Sequence, residues 1–387
     1  MREGWKEVEI KSFAEIVGGG TPSTKIEEYW NGEIPWITPN DLSNHTFKYI
    51  ERGERNISDL GLSKSSAKLH PINTILLTSR APIGYLALAK NEVSTNQGFQ
   101  SIRCDENKAN ANYVYYALKV YMDRVKALAS GATFPEVSGK KVGKVKLPLP
   151  PLETQKKIAS ILSGYDDLIE NNLKRIKILE EMAQQTYEEW FVRMRFPGHE
   201  SATINPETGL PEGWDRLYFK DILNFKTGKL DSNALDNNGV YDFYTCAKEV
   251  YKTNTYCFEG EAVLLGGNNA TGDFALFYAD SKFDAYQRTY IVTSKKDDFP
   301  LVYVYQVLRT YLPHFKIVSS GASTKFLTMR ILDKTRILVP NEDILQAFYN
   351  IAKPCFESIL NLQNQNQRLR EARNILLPRL MMGMVEV

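Results

Sequence analysis

The sequence predicts an α+β fold: two similar globular regions separated by a pair of long antiparallel helices, with an internal pseudo-two-fold. Three observations carry that prediction. The chain repeats itself at a very long offset. Each copy mixes short β-like runs and turn signals with one short helix. Each copy then ends in a proline-led helical run.

The repeat is legible in six matches that keep their order. GWKEVEIK (4–11) returns as GWDRLYFK (213–220). TILLTSRAPIGY (74–85) returns as AVLLGGNNATGD (262–273). Asn96 and Gln97 fall against Tyr286 and Gln287, YVYYALK (113–119) against YVYQVLR (303–309), and SGA (130–132) against SGA (320–322). Finally KLPLPPLETQKKI (146–158) is echoed by RILVPNEDILQAF (336–348). The offset drifts from 209 near the start to 190 near the end, as duplication followed by deletions would give.

The elements follow in order. Residues 1–150 form the first globular region, with β-like runs KEVEI, TILLT and KVKLPL. Residues 151–196 form the first helix. Proline suits its first turn, where the missing N–H had no partner, and Glu153 suits the dipole there. A 3-4 spacing selects Leu162, Tyr165, Ile169, Asn172, Ile176, Leu179, Ala183, Thr186 and Trp190 as a seam. Residues 197–212, rich in Pro, Gly, Ser and Asn, read as a linker. Residues 213–340 form the second globular region, with AVLL, YIVT and RILVP. Residues 341–387 form the second helix, with Asn341 as N-cap and Glu342 and Asp343 in the first turn. Its seam runs Phe348, Ala352, Cys355, Ile359, Leu362, Asn366, Leu369, Arg373 and Leu376. Equivalent seams on equivalent halves favour packing of each helix on the other. About 35 helical residues at ~1.5 Å each make a rod of roughly 50 Å.

Composition restricts the function classes. At 387 residues the chain exceeds one ordinary domain, and 43% hydrophobic with 24% charged residues is a globular mixture. No apolar run suits a membrane span, and the N-terminus lacks an apolar export signal. Cys104, Cys246, Cys257 and Cys355 are scattered, which suits reduced thiols in a cytoplasm. The four histidines are isolated, so no metal motif is expected. A net charge of +2 is low for a chain that neutralises phosphates by itself. VGGGT (17–21) lacks dinucleotide-fingerprint spacing and reads as a turn. No phosphate loop, nucleophile elbow or amino-methyltransferase motif occurs. Asp166 and Asp167 read as a solvated helix face rather than an acid–base pair. Tyr113, Tyr115, Tyr303 and Tyr305 read as core rather than base-stacking. The expectation is a non-catalytic chain.

The wording GWKEVEI…GGGTPS…GEIPWITPNDL, then NQGFQSI, GATFPEVSGKKVGKVKLPLPPLETQKKI and RNILLPRLMMG, strongly resembles the specificity subunit of type I restriction–modification enzymes. The resemblance covers essentially the whole chain and is most specific over 131–158. It implies that 1–150 and 213–340 are target recognition domains, each reading one half of a split, asymmetric site in double-stranded DNA. It implies that 151–196 and 341–387 are spacer helices that set the gap between half-sites. It further implies no catalytic site, no metal and no cofactor on this chain. Two modification subunits, and restriction subunits through the complex, would use S-adenosylmethionine, ATP and Mg. Half-sites about one turn (~34–36 Å) apart lie within reach of such a rod. Near-neutral charge suits a complex whose partners supply phosphate contacts. Where GGNNATGD and STKFLTMRIL replace TSRAPIGY and TFPEVSGKKV, contacts in the second domain are harder to place.

Base readout needs forked donors and acceptors on loops. The candidates are Thr21, Ser23, Lys25, Arg80, Asn96, Gln97, Lys140, Lys141 and Lys144 in the first domain. In the second they are Lys226, Lys229, Asn268, Asn269, Arg288, Lys325 and Arg330. Asn96 and Gln97 recur in family members that read different sequences, so a structural role is expected at least as much. The alternative function is a coiled-coil scaffold with two ligand-binding domains that do not act on DNA.

Overall fold

In the computed structural model of the chain, residues 4–80, 82–131, 135–296, 299–321 and 323–387 are described. Ala132 and Ala322, the last residues of the two SGA matches, lie outside them, as do Thr133 and Phe134. The chain folds as two compact units. One is Met1–Asn172 with Gln365–Val387, and the other is Leu173–Asn364. Each holds one globular region and part of both long helices.

The first globular region carries a five-stranded sheet in the order Ala14–Gly18, Gln100–Cys104, Ile75–Leu77, Leu86–Ala89, Tyr49–Ile50. Beside it runs a four-stranded sheet, Arg55–Ile57, Trp30–Ile37, Val93–Thr95, Leu69–His70. Strand Ile75–Leu77 is apolar at every position because both its faces are buried. Helix Ala111–Val120 places Tyr113, Val114 and Leu118 in the same core as Ile158 and Leu162 of the first long helix. The second region carries a six-stranded sheet, Leu223–Thr227, Thr289–Ser294, Phe258–Gly266, Leu276–Ala285, Tyr241–Tyr244, Val250–Thr253. Helix Leu301–Val318 packs on it, with Tyr303 and Val307 in the core. Residues 197–212 are an ordered loop: Asn205 N–H donates to Leu210 O at 2.8 Å, and Leu210 is buried in that same core.

The repeat holds at the level of single hydrogen bonds. Lys6–Glu9 pairs antiparallel with Lys146–Leu149, and Asp215–Tyr218 pairs with Arg336–Val339 in the same register. The Tyr113 hydroxyl donates to Pro148 O at 2.8 Å, and the Tyr303 hydroxyl to Leu338 O at 2.7 Å. Tyr113, Tyr115 and Tyr303 are buried, and the partly buried Tyr305 ring packs edge-on against Phe356, so the four tyrosines are core, as expected.

Two long helices grow out of the proline joints. The first is Leu152–Tyr187, continued by a π-helical turn at Glu188–Val192, and the second is Glu342–Met381. Ile344 N–H donates to Asn341 Oδ1 at 3.0 Å, the expected N-cap. At the first joint the Gln155 side chain is buried. It accepts from Asn110 N–H at 2.9 Å and donates to Pro150 O at 2.8 Å. The pairing of the helices is antiparallel in each unit. In the first, Asn172 Nδ2 donates to Asn366 Oδ1 at 3.0 Å, and Asp166 pairs with Arg373. In the second, Ile176 packs with Ile359 and Leu362, while the Tyr187 ring lies 6.3 Å from that of Phe348.

Two expectations are corrected here. Tyr187, not Thr186, takes the buried position after Ala183, followed by Phe191. The last seam positions step by four, as an unsupercoiled helix and then a π turn require. Thr186 instead bonds back to Met182 O. Asp166 is not on a solvated face: it accepts from the Tyr116 hydroxyl at 2.6 Å and faces Arg373. A carboxylate at that depth survives only when paired. Its neighbour Asp167 is exposed, 3.5 Å from Lys48.

Candidate nucleic-acid interface

In the first unit, four loops at one rim of the sheets are stitched by backbone hydrogen bonds. Gly19 N–H reaches Phe99 O and Gly20 N–H reaches Thr95 O at 2.9 Å. Ser79 N–H reaches Gly98 O at 2.8 Å, and Val137 N–H reaches Ser79 O at 3.0 Å. The glycine run is explained by this crowding. A Cβ on Gly19 would lie 1.9 Å from Asn96 O, and one on Gly20 would lie 2.3 Å from Ala67 N. VGGGT is thus a close-approach run rather than the expected turn: Val17 and Gly18 end strand Ala14–Gly18, and Gly19 and Gly20 continue beside the 95–99 loop.

This stitching brings together Thr21, Arg80, Asn96 and Gln97. The Thr21 hydroxyl donates to Gln97 Oε1. Asn96 Oδ1 accepts from Gly98 N–H at 2.8 Å, so that amide shapes the turn. Arg80 lies across from Glu136, Nη1 to Oε2 3.9 Å, and both side chains are exposed. The short helix Gly139–Gly143 packs by Gln100, and a Cβ on Gly139 would meet Gln100 Oε1 at 2.7 Å. On it Lys140 is exposed, whereas Lys141 Nζ donates to Leu128 O at 2.9 Å. Ser23 and Lys25 stand apart on the exposed run toward Trp30, whose indole N–H donates to Ser23 O at 3.1 Å. Lys144 stands beside the strand pair Lys6–Glu9 and Lys146–Leu149, close enough to Glu9 to help hold its carboxyl below the usual range, after Lys11.

The second unit builds the corresponding rim. Gly228 N–H reaches Thr289 O, Gly267 N–H reaches Arg288 O at 2.8 Å, and Leu327 N–H reaches Gly267 O at 2.8 Å. A Cβ on Gly228 would sit 1.9 Å from Ala285 O, repeating the crowding at Gly19. Asn268–Asn269 pairs with Lys325–Phe326, which brings Asn268, Asn269, Lys325 and Arg288 together. Asn269 Oδ1 accepts from Thr271 N–H at 2.8 Å and is spent on its own loop. Asp273 closes that loop: its hydrogen bond from Lys316 at 2.7 Å holds its carboxyl below the ordinary value. Lys229 is exposed beside the Leu230–Tyr286 bridge. Lys226 is exposed on strand Leu223–Thr227, and Arg330 is exposed on helix Met329–Lys334, where Lys140 stands in the first unit. Gln287, Glu136 and Phe326 were not among the expected residues. The repeat itself pointed to Gln287 through Gln97.

Among the described residues, no three His, Cys, Asp or Glu side chains converge as metal ligands, and no helix is long and apolar enough to cross a membrane. The rims present amide, guanidinium and ammonium groups, the chemistry of base-edge and phosphate contact.

The family model for the type I restriction modification DNA specificity domain matches residues 2–181 and again 211–370. The MjaIX specificity subunit of Methanocaldococcus jannaschii is 35% identical across 99% of this chain and 94% of its own length. The EcoDI specificity subunit of Escherichia coli is 34% identical over 43% of this chain and 36% of that protein. In structure, the chain is similar to a type I restriction–modification S subunit from M. genitalium, with a TM-score of 0.67 at 18% identity over 97% of this chain and 96% of that one. The rival scaffold reading finds no support in these matches. A duplicated sequence, two correspondingly stitched rims and a near full-length relative converge: the chain belongs to the family of type I restriction–modification specificity subunits.

Proposed function

We propose that the two rims are the DNA-reading surfaces of a non-catalytic specificity subunit, each facing one half of a bipartite, asymmetric site. On this reading 1–150 and 213–340 are the target recognition domains, 151–196 and 341–387 the spacer helices, and 197–212 the link. The observation that carries the reading is the pairing of fixed backbone with varied side chains. The same loops are stitched in both units, yet Arg80 corresponds to Asn268, Asn96 to Tyr286, Gly98 to Arg288 and Lys140 to Arg330. A constant frame with different polar groups suits two modules that read different sequences.

The chain recruits two modification subunits and, through the complex, restriction subunits. Methylation and cleavage reside there, with S-adenosylmethionine, ATP and Mg. In the first unit Ile161 and Leu168, two turns apart, are exposed apolar positions on the first long helix, a surface suited to a helical partner. The assembly works on DNA in the cytoplasm. Partners that carry phosphate contacts account for a net charge of only +2.

The test is exchange of 1–150 for the corresponding region of another specificity subunit. The chimera is assembled with its modification subunit and its product DNA is mapped for methylation. One half-site should change and the other should stay. Change in both halves would overturn the modular reading.

A further inference from the structure

We propose that each rim reads a guanine through one braced arginine, Arg80 in the first unit and Arg288 in the second. This rests on the rims facing DNA. Corresponding residues supply the two braces: Glu136 bridges to Ser130, and Phe326 bridges to Ser320. Glu136 stands 3.9 Å from the Arg80 guanidinium, and the Phe326 ring centre lies 5.4 Å from that of Arg288. One brace is a carboxylate and the other an aromatic face, and each stands beside its guanidinium without a hydrogen bond to it.

The arginines arrive from different loops for a steric reason. At Gly98 a Cβ would fall 2.9 Å from Asn96 Oδ1 and 2.9 Å from Pro39 Cγ. The first rim therefore has no room for a side chain there, and its arginine comes from position 80. In the second rim Tyr286 replaces Asn96, and Arg288 occupies the place of Gly98 with its side chain exposed. Asn268, in the place of Arg80, turns inward: its Oδ1 is buried without a partner. Each rim thus carries one braced fork, at a different position.

The other basic residues of the rims differ. Lys141 is spent on Leu128 O, Lys140 and Lys325 are point charges, and Arg330 is an exposed fork with no brace among the described residues. No hydrogen bond to the described residues consumes the Arg80 or Arg288 guanidinium. The antiparallel bridge of Arg80 with Glu136 sets the two residues opposite each other, and an exposed ion pair at 3.9 Å leaves the guanidinium donors available. A fork with no hydrogen bond to the described residues matches the O6 and N7 acceptors of guanine in the major groove.

R80A, R80K, R288A and R288K are each assembled with the modification subunit. Their sites are mapped by methylation, and binding is measured on duplexes varied one base pair at a time. R80A should relax one guanine position by about 5- to 150-fold, in the half-site that exchange of 1–150 alters. R288A should do the same in the other half-site. The lysine variants should fail to restore preference, because lysine lacks the fork. The other base positions of the same half-site, read unchanged, report that the altered rim is folded. Equal weakening on all duplexes, cured by lysine, would mean phosphate contacts and overturn the proposal, as would no relaxed guanine. If region exchange still moved one half-site, the DNA-reading assignment would stand while this proposal fell.

Discussion

At the scale of single residues, His70 shows how the frame beneath a rim is made. Its Nε2 lies 3.2 Å from Thr95 Oγ1, and its Nδ1 accepts from Arg103 Nη2 at 3.2 Å. Thr95 O in turn receives Gly20 N–H. Burial, and then the charge of Arg103, push the imidazole from 6.5 down to about 4. The fold accepts only the neutral ring. Its stabilisation is complete above pH 6.5 and drains as pH falls toward 4, because the unfolded chain takes up the proton first. His70→Gln should flatten the dependence of unfolding free energy on pH across that window by about 2–3 kcal/mol. A pH series of denaturant titrations checks it, and an unchanged slope would show that His70 is not the titrating group. None of this was legible in the sequence, where His70 stood isolated. Its partners are 25 and 33 positions away, and only the sheet brings them together. The glycine run was half read: VGGGT was expected to turn, but it leaves strand Ala14–Gly18 without one, and the carbonyl that crowds Gly19 belongs to Asn96, 77 residues on.

At the scale of elements, the helix seams were legible because a 3-4 apolar spacing survives without knowledge of the partner. What the spacing could not reveal was the asymmetry of the polar interruptions. Asn172 bonds Asn366, yet the corresponding contact in the other unit is Ile176 with Leu362. The same backbone frame accepts either chemistry. A buried amide pair costs stability and fixes register. Asn366 Nδ2 is buried without a partner, so the pair is only half satisfied. Asn172→Leu alone should destabilise by about 1–3 kcal/mol, leaving the Asn366 amide unpaired. The double change to leucine should recover that loss or exceed it, as the apolar contact at Ile176 and Leu362 already does. Urea titrations of the two variants decide it. A double variant less stable than the single one would refute the account. Asp166 was misread at this scale because its partners Tyr116 and Arg373 come from other helices, and helical spacing alone cannot see them.

At the scale of the whole molecule, the duplication was the most legible feature and carried the fold class, while the wording of 131–158 carried the family. Individual base contacts were not legible, because readout depends on which loop crowds which. The spacer reading makes a further quantitative statement. Deleting 169–175 from the first long helix and 363–369 from the second removes one heptad from each while keeping the flanking pairs matched. The gap between half-sites should shorten by about 10 Å, roughly three base pairs, with both half-sites unchanged. Methylation mapping measures it, and an unchanged gap would sink the spacer reading. Gln155 adds one consequence. Among the described residues, the hydrogen-bond partners of its side chain are all backbone atoms: Asn110 N–H, Pro150 O and Lys108 O. The polar part of the joint is therefore indifferent to the side chains at 108 and 110, and a grafted globular region would have to supply the same three backbone groups together with an apolar core that accepts Ile158 and Leu162.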